Sequence, residues 1–304
     1  MKFFGTGVIR LSDPHYSSLL NALQALFPAT ALSQWKITAL AGAGGGAFRV
    51  QCADIDWVAR YYGDEKRALY VHGRKEYAIL KQLSGSDLSP KVATRYKEWF
   101  FLCWLQGEHL THQSLFSTYL KPLAEKIAIL HQHTPLGFPL NLNHELLIYW
   151  QGIDRKRLSA KWLRLQQHFL RQPRCNFIKY APAHMDLHVE NILLSDSGIK
   201  FIDWEYAADI DTADSLMTFF ATNQLNEAQQ NTFLDYYYSY HCHYAQSKET
   251  DIYSVKELRK RILSREPFIF YMMLMWYEVR WQQTKDGSFL IMSEPLRRYF
   301  SLTN

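Results

Sequence analysis

The sequence predicts an α+β fold in two lobes: a small antiparallel β-rich N-lobe over residues 1–106 and a larger helical C-lobe over residues 107–304. Three observations predict it. Short apolar runs punctuated by glycine fill residues 35–105, which is the pattern of strands joined by tight turns. After Gly107 the apolar spacing changes to the helical period. That helical half is interrupted by one compact hairpin near residues 192–202.

Asp13-Pro14 opens a helical pattern in which Leu19, Leu20, Leu23 and Leu26 are apolar, and Pro28 closes it. Residues 35–40, 48–52 and 57–62 read as three strands, the first two joined across Gly42-Ala43-Gly44-Gly45-Gly46. Residues 74–83 read as a helix, 84–90 as loop and 99–105 as an apolar strand ended by Gln106-Gly107-Glu108. The stretch 103–108 is the natural hinge. In the C-lobe, Pro122 sits where a first helical turn tolerates proline, with Leu123, Ile127 and Leu130 on one face behind it. Residues 146–151 and 161–171 read as helices, and Pro173 and Pro182 bracket a connector. The hairpin follows, turning through Ser195-Asp196-Ser197-Gly198. Everything beyond Asp211 reads as helix.

Hydrophobic residues make up 48% of the chain and charged residues 21%, the balance of a soluble globular protein. The net charge of +5 is mild and forms no Lys/Arg block. Lys256, Arg259, Lys260 and Arg261 have the spacing of a solvated helix face. With no basic stripe interleaved with aromatics, a nucleic-acid partner is not expected. The four cysteines, Cys52, Cys103, Cys175 and Cys242, show no metal or disulfide spacing and read as reduced thiols. His241, Cys242 and His243 read as a local surface cluster. The longest apolar stretch, 268–277, is too short to span a bilayer, and no signal peptide is evident. A cytoplasmic location with no membrane association is the expectation. The sequence does not reveal an oligomeric state.

The chemistry lies between His184 and Tyr206. His184, Asp186 and Asn191 have the spacing of the H-x-D-x-x-x-x-N catalytic loop of kinases, and Asp203 follows one hairpin later. Phosphoryl transfer asks for a carboxylate that orients the acceptor hydroxyl and takes its proton, which Asp186 can supply. It also asks for oxygen ligands that hold Mg²⁺ against the phosphates. Asn191 offers a neutral carbonyl oxygen and Asp203 a carboxylate. A tight hairpin between them would return the second ligand beside the first. His184 is expected to be structural, holding the loop by hydrogen bonds. Together these residues mark the two-lobed fold as protein-kinase-like.

The glycines are a weaker signal. Gly42, Gly44 and Ala47 match a degenerate dinucleotide fingerprint, but that fingerprint must open a helix and here a strand follows. The absence of Gly-Lys-Ser/Thr excludes a Walker A loop. A loop over ATP phosphates, with Gly44, Gly45 and Gly46 at its turn, suits the strand–glycine–strand setting; an ordinary hairpin turn uses the same residues. Arg60 on the third strand is the candidate phosphate cation, and Glu76 on the next helix its partner. Leu102, Cys103 and Trp104 are expected to receive the adenine through backbone hydrogen bonds.

On these residues the chain resembles the aminoglycoside phosphotransferase and choline kinase superfamily. The resemblance rests on the segment from His184 to Asn191, on Ile202-Asp203-Trp204-Glu205-Tyr206-Ala207, and on Leu130-His131-Gln132. Three further stretches are similar to the bacterial thiamine kinase group within it: Tyr149-Trp150-Gln151, Lys161-Trp162-Leu163-Arg164, and the run Trp276-Tyr277-Glu278-Val279-Arg280-Trp281-Gln282-Gln283-Thr284. What the resemblance implies is an ATP-dependent, magnesium-requiring kinase acting on a small-molecule alcohol, with the thiamine hydroxyethyl group as acceptor. A Gly/Ala-rich loop and Arg60 in place of the commoner Lys are departures, and they leave the choice between ATP and GTP open. Choline, ethanolamine or another amino alcohol as acceptor stays open, as does an inactive nucleotide-binding regulator. Thiamine carries a cationic thiazolium and a flat pyrimidine, so its site should offer aromatic faces and a balancing carboxylate. Trp204, Glu205, Tyr206, Trp276, Glu278 and Trp281 are the candidates.

Overall fold

The computed structural model describes residues 15–40, 46–63, 71, 73–172, 178–245 and 254–302, with residues 241–245 described for their backbone alone. Asp13-Pro14, Gly42 to Gly45, Pro173 and Cys175 lie outside the described residues, as do the side chains of His241, Cys242 and His243. The chain divides into two compact units. The first holds residues 1–67, 71–108 and 193–205; the second holds 68–70, 109–192 and 206–304.

The first unit is built on an antiparallel sheet. Helix α1 (Tyr16–Leu26) precedes β1 (Lys36–Ala39), β2 (Ala47–Cys52), β3 (Ile55–Tyr61), α2 (Gly73–Gln82), β4 (Val92–Tyr96) and β5 (Trp99–Cys103), and the strand order is β1-β2-β3-β5-β4. Alternation decides which face is buried. Phe48 and Val50 of β2, Ala59 of β3, and Trp99 and Phe101 of β5 point to one side, where α1 lays Leu19, Ala22 and Leu23 against them. Burying each large apolar side chain of this kind contributes roughly 1.5–3 kcal/mol. The Trp99 indole N–H also reaches Ser18 Oγ at 3.0 Å. Sequence periodicity passed over β4, because Thr94 and Arg95 dilute its apolar signal. It forms the sheet's edge, where a strand is half solvated.

After β6 (Glu108–His109), the second unit is mostly helical. Helix α3 (His112–Ser114) runs through a π turn, Leu115–Tyr119, into α4 (Leu120–Leu130); α5 (Leu142–Gly152) and α6 (Ala160–Arg171) follow. Strand β7 (Tyr180–Ala183) precedes the hairpin strands β8 (Ile192–Ser195) and β9 (Gly198–Phe201), which from residue 193 on fall in the first unit, and then comes β10 (Ala208–Asp211). Helices α7 (Thr212–Thr222), α8 (Glu227–Ala245), α9 (Val255–Leu263), α10 (Glu266–Thr284) and α11 (Ser288–Tyr299) complete the chain. Pro182, which reads as a connector in the sequence, lies inside β7. Among the described residues that strand pairs with β10, with Ala183 opposite Ala208. A two-stranded ribbon leaves an edge on which proline's missing N–H costs no ladder bond. This ribbon sets the position of the segment that begins at His184.

No helix among the described residues is long and apolar enough to cross a membrane.

Candidate active site

In the first unit, Arg60 of β3 is buried and gathers three carboxylates. Its Nη1 donates to Glu76 Oε1 at 2.8 Å, and its Nη2 donates to Asp203 Oδ1 at 2.5 Å and to Glu205 Oε2 at 2.8 Å. Glu76, on α2, is fully buried and also accepts the hydroxyl of Tyr62. Burial works against the Arg60 charge, but the carboxylates, Asp203 foremost, outweigh it and hold the guanidinium well above its ordinary value. Burial pushes the Glu76 carboxyl up to about 8; Arg60 pulls the other way, while Asp203 and Glu205 add to the rise. Among the described residues, one guanidinium thus meets three acids.

The turn after β9 delivers two of those acids. Asp203 has φ 64°, a left-handed conformation that Asp tolerates better than most residues. The short turn Trp204–Tyr206 follows. Trp204 is fully buried and donates its indole N–H to Phe201 O at 2.7 Å. This corrects the expectation that Trp204 faces a ligand: its ring is core and anchors the turn that carries Asp203 and Glu205.

The nucleotide candidates divide. Gly44 and Gly45 lie outside the described residues. Gly46 adopts φ +66°, a conformation that favours glycine, and a Cβ there would sit 3.2 Å from Tyr61 Cβ, a tight contact. Leu102 is buried in β5 opposite Val58 and Val92. The Cys103 N–H donates to Lys91 O and the Trp104 N–H to Asp56 O, each at 2.9 Å. The backbone N–H groups of Cys103 and Trp104 are therefore engaged within the first unit, so backbone hydrogen bonds from these two residues to adenine would fall to their carbonyl oxygens. The next donors along the hinge, Leu105 and Gln106, have no such bond among the described residues.

In the second unit, His184 is buried at the end of β7 and its Nδ1 accepts the Asp186 backbone N–H at 3.3 Å. Met185 between them has φ 65°, a left-handed conformation unusual for methionine. The Asp186 side chain keeps 33% of its surface exposed, and His188 Nε2 lies 3.7 Å from its Oδ2. Asn191 closes the short turn Val189–Asn191 and donates its amide to Asp186 twice, to the backbone O at 2.9 Å and to Oδ2 at 3.1 Å. Only the NH₂ group can make those bonds, so the network fixes the amide's orientation and reserves its carbonyl oxygen as an acceptor. Asn223 was not legible in the sequence. It is buried at the end of α7 and donates to Leu187 O at 2.7 Å, holding the loop directly after Asp186. A single Asn at a helix end carries no distinguishing pattern.

The aromatic candidates also divide. Trp276 donates its indole N–H to Tyr206 Oη at 2.9 Å. Tyr277 neighbours them on α10, and its hydroxyl is held above its ordinary pKa by burial and then by the charge of Asp186. Trp281 faces two cations instead, with the Arg157 guanidinium 4.4 Å and the Lys285 ammonium 4.5 Å from its ring centre. Glu278 is fully buried and already paired: Arg157 Nε reaches its Oε2 at 2.6 Å and Arg297 Nη2 its Oε1 at 2.8 Å. Glu278 is thus part of a buried ion network and Trp281 stacks against its Arg157, so a further cation there would meet positive charge instead of the expected ligand contacts.

With this geometry in view, the comparisons define the class. The model of the phosphotransferase enzyme family matches residues 37–245, and the chain belongs to that family. It is an ATP-dependent phosphotransferase with an alcohol acceptor, on a two-lobed protein-kinase-like α+β fold. Among curated proteins it is similar to the thiamine kinase of Escherichia coli O157:H7 (strain EC4115 / EHEC), at 28% identity over 258 residues, covering 83% of this chain and 85% of that one. Among solved structures it is similar in fold to the choline kinase LicA from Streptococcus pneumoniae, with TM-score 0.74 at 15% identity, covering 94% of this chain and 99% of that one. It is also similar to a Plasmodium vivax ethanolamine kinase, with TM-score 0.72 at 12% identity and coverage of 98% and 92%.

Proposed function

We propose that this enzyme is a thiamine kinase, transferring the γ-phosphate of ATP to the hydroxyethyl oxygen of thiamine to give thiamine monophosphate and ADP. The observation that carries the chemistry is the Asn191 amide locked onto Asp186, which leaves one oriented carboxylate partly open to solvent. Asp186 takes the hydroxyl proton as the acceptor oxygen forms its bond to phosphorus and the bond to the ADP oxygen breaks. His184 keeps the loop in register through the Asp186 backbone. Arg60, oriented by Glu76, binds phosphate oxygens. Adenine is received along the hinge that follows Cys103, where Leu105 and Gln106 offer backbone donors, with Gly46 ending the loop over the phosphates.

The donor set fits a hard divalent cation. Asn191 presents an amide oxygen and Asp203 is a partly exposed carboxylate, both hard donors. Magnesium held by Asn191 and Asp203 would neutralise charge on the transferring phosphate. Glu76 and Glu205 would keep the buried Arg60 guanidinium compensated beside a bound phosphate. Similarity to thiamine kinases supports the acceptor. Tyr206 and Trp276 supply the aromatic face, and the protein works in the cytoplasm.

The test is incubation with Mg-ATP and a panel of thiamine, choline, pyridoxal and kanamycin, with products identified by mass. Phosphorylation of thiamine in preference to the other three is the expected result. Turnover of choline with thiamine untouched would move the assignment to the amino-alcohol kinases, and ATP binding without turnover of any alcohol would point to a regulator.

A further inference from the structure

Inside a helix glycine is less favourable than alanine, yet α2 starts on Gly73. The reason lies just past the end of β3. A Cβ on Gly73 would fall 2.5 Å from Cγ of Tyr62 and within 2.9 Å of both its Cδ atoms, closer than real Cβ contacts come. The Tyr62 ring therefore occupies the space that a side chain at 73 would fill. From there Tyr62 reaches both members of the buried ion pair. Its hydroxyl donates to Glu76 Oε2, and the Arg60 guanidinium carbon lies 5.6 Å from its ring centre. Glu76 thus divides its oxygens, with Oε1 left to accept Arg60 Nη1 at 2.8 Å, and the Trp204 backbone N–H adds to the hold on this carboxylate. Tyr62 is itself tied down at its other end, since its backbone N–H donates to Glu98 O at 3.0 Å. Phe100 of β5 flanks the ring, with centroids 6.4 Å apart.

We propose that Tyr62 is a positioning residue for phosphate binding: seated on Gly73 and bonded to Glu76, it sets where the Arg60–Glu76 pair meets the nucleotide. This rests on the reading of Arg60 given above and deepens it. Gly73 and Glu76 are three residues apart, so they share one face of α2. One ring therefore meets that face twice, at the glycine through its near end and at the carboxylate through its hydroxyl. A tyrosine side chain has two rotatable bonds and a rigid plane, so it holds a fixed distance at little entropic cost. The ion pair supplies the charge for phosphate, and the ring and the glycine supply the spacing between the sheet and α2. A side chain at 73 would push the ring, and with it the carboxylate that orients the guanidinium. A ring that served only as packing would support stability and leave the affinity for nucleotide alone.

The experiment measures KM for Mg-ATP and for the alcohol phosphorylated, Mg-ATP affinity by calorimetry, and melting temperature. Tyr62→Phe keeps the ring and removes the hydroxyl. It should raise KM and Kd for Mg-ATP about fivefold, the scale of one hydrogen bond, while kcat and the acceptor KM shift less than about twofold. Gly73→Ala should weaken Mg-ATP binding about tenfold in the protein that carries Tyr62, the scale of a forced contact. In the Tyr62→Ala background the same change should cost less than about twofold, because the ring it strikes is gone. Tyr62→Phe serves by itself if Gly73→Ala does not fold. Lowered melting temperature with unchanged Mg-ATP affinity in Tyr62→Phe would overturn the proposal, and so would equal losses from Gly73→Ala in the two backgrounds. Arg60→Gln separates the proposal from the reading beneath it. Unchanged Mg-ATP affinity in Arg60→Gln would overturn both, whereas weakened binding there beside unchanged binding in Tyr62→Phe would overturn the positioning role alone.

Discussion

Asn191 donates both to the backbone oxygen and to Oδ2 of Asp186, at 2.9 and 3.1 Å, so the first of these residues aims the second. The bond fixes where Oδ2 stands. Asp186→Asn keeps an oxygen for the Asn191 amide but removes the base. It should lower kcat by about 10²–10⁴-fold with ATP binding intact. Turnover near wild type, measured beside nucleotide affinity by calorimetry, would remove Asp186 from the role.

Asp203 shares Arg60 with Glu205 and Glu76, so its loss leaves the guanidinium two acidic partners and the fold largely intact. Asp203→Asn should weaken Mg-ATP binding by about 10–100-fold, the range seen when groups around a bound metal are altered. Metal-free adenosine should bind as before. Equal weakening of both ligands would indicate a folding defect.

Glu76 gives a pH prediction whose sign follows from its surroundings. Its carboxyl is raised to about 8 in the folded protein, above the usual carboxylate value of about 4.5, by burial first and by Asp203 and Glu205 after it. Between those values the folded state binds more protons than the unfolded one at this group. Its contribution to stability is therefore full below about 4.5 and falls as pH rises toward about 8. Wild type should lose thermal stability relative to Glu76→Gln as pH goes from 5 to 8. A constant difference in melting temperature across that range would contradict it.

Trp276 and Trp281 should behave differently. Trp276→Ala removes a ring bonded to Tyr206 and should raise KM for thiamine with little change in KM for ATP. Trp281→Ala removes two cation–π contacts and should cost about 1–2 kcal/mol of stability instead, with thiamine KM nearly unchanged. Kinetics and denaturant melts on both variants separate the roles, and a large thiamine KM effect at Trp281 would reverse the assignment.

The sequence made the strands around the glycines and the hairpin after Asn191 legible, because strand alternation and turn residues are local signals. It marked Arg60 and Glu76 as a pair, and the structure brings them to 2.8 Å. Strands β4, β7 and β10 were hidden, since an edge strand carrying Arg95 and a ribbon containing Pro182 lack the apolar run that marks a strand. The substrate residues were the least legible. Spacing on α10 shows that Trp276 and Trp281 are available, but not that Arg157, from a distant segment, stacks against one of them.

The central claim is that Asp186 directs γ-phosphate onto thiamine. The most direct measurement is a single turnover of Mg-ATP with thiamine, resolved by mass and run with wild type and Asp186→Asn side by side. The account predicts thiamine monophosphate and ADP in equal amounts from wild type, and product formation slowed about 10²–10⁴-fold in the variant. ADP released without thiamine monophosphate, or equal rates from the two proteins, would contradict it.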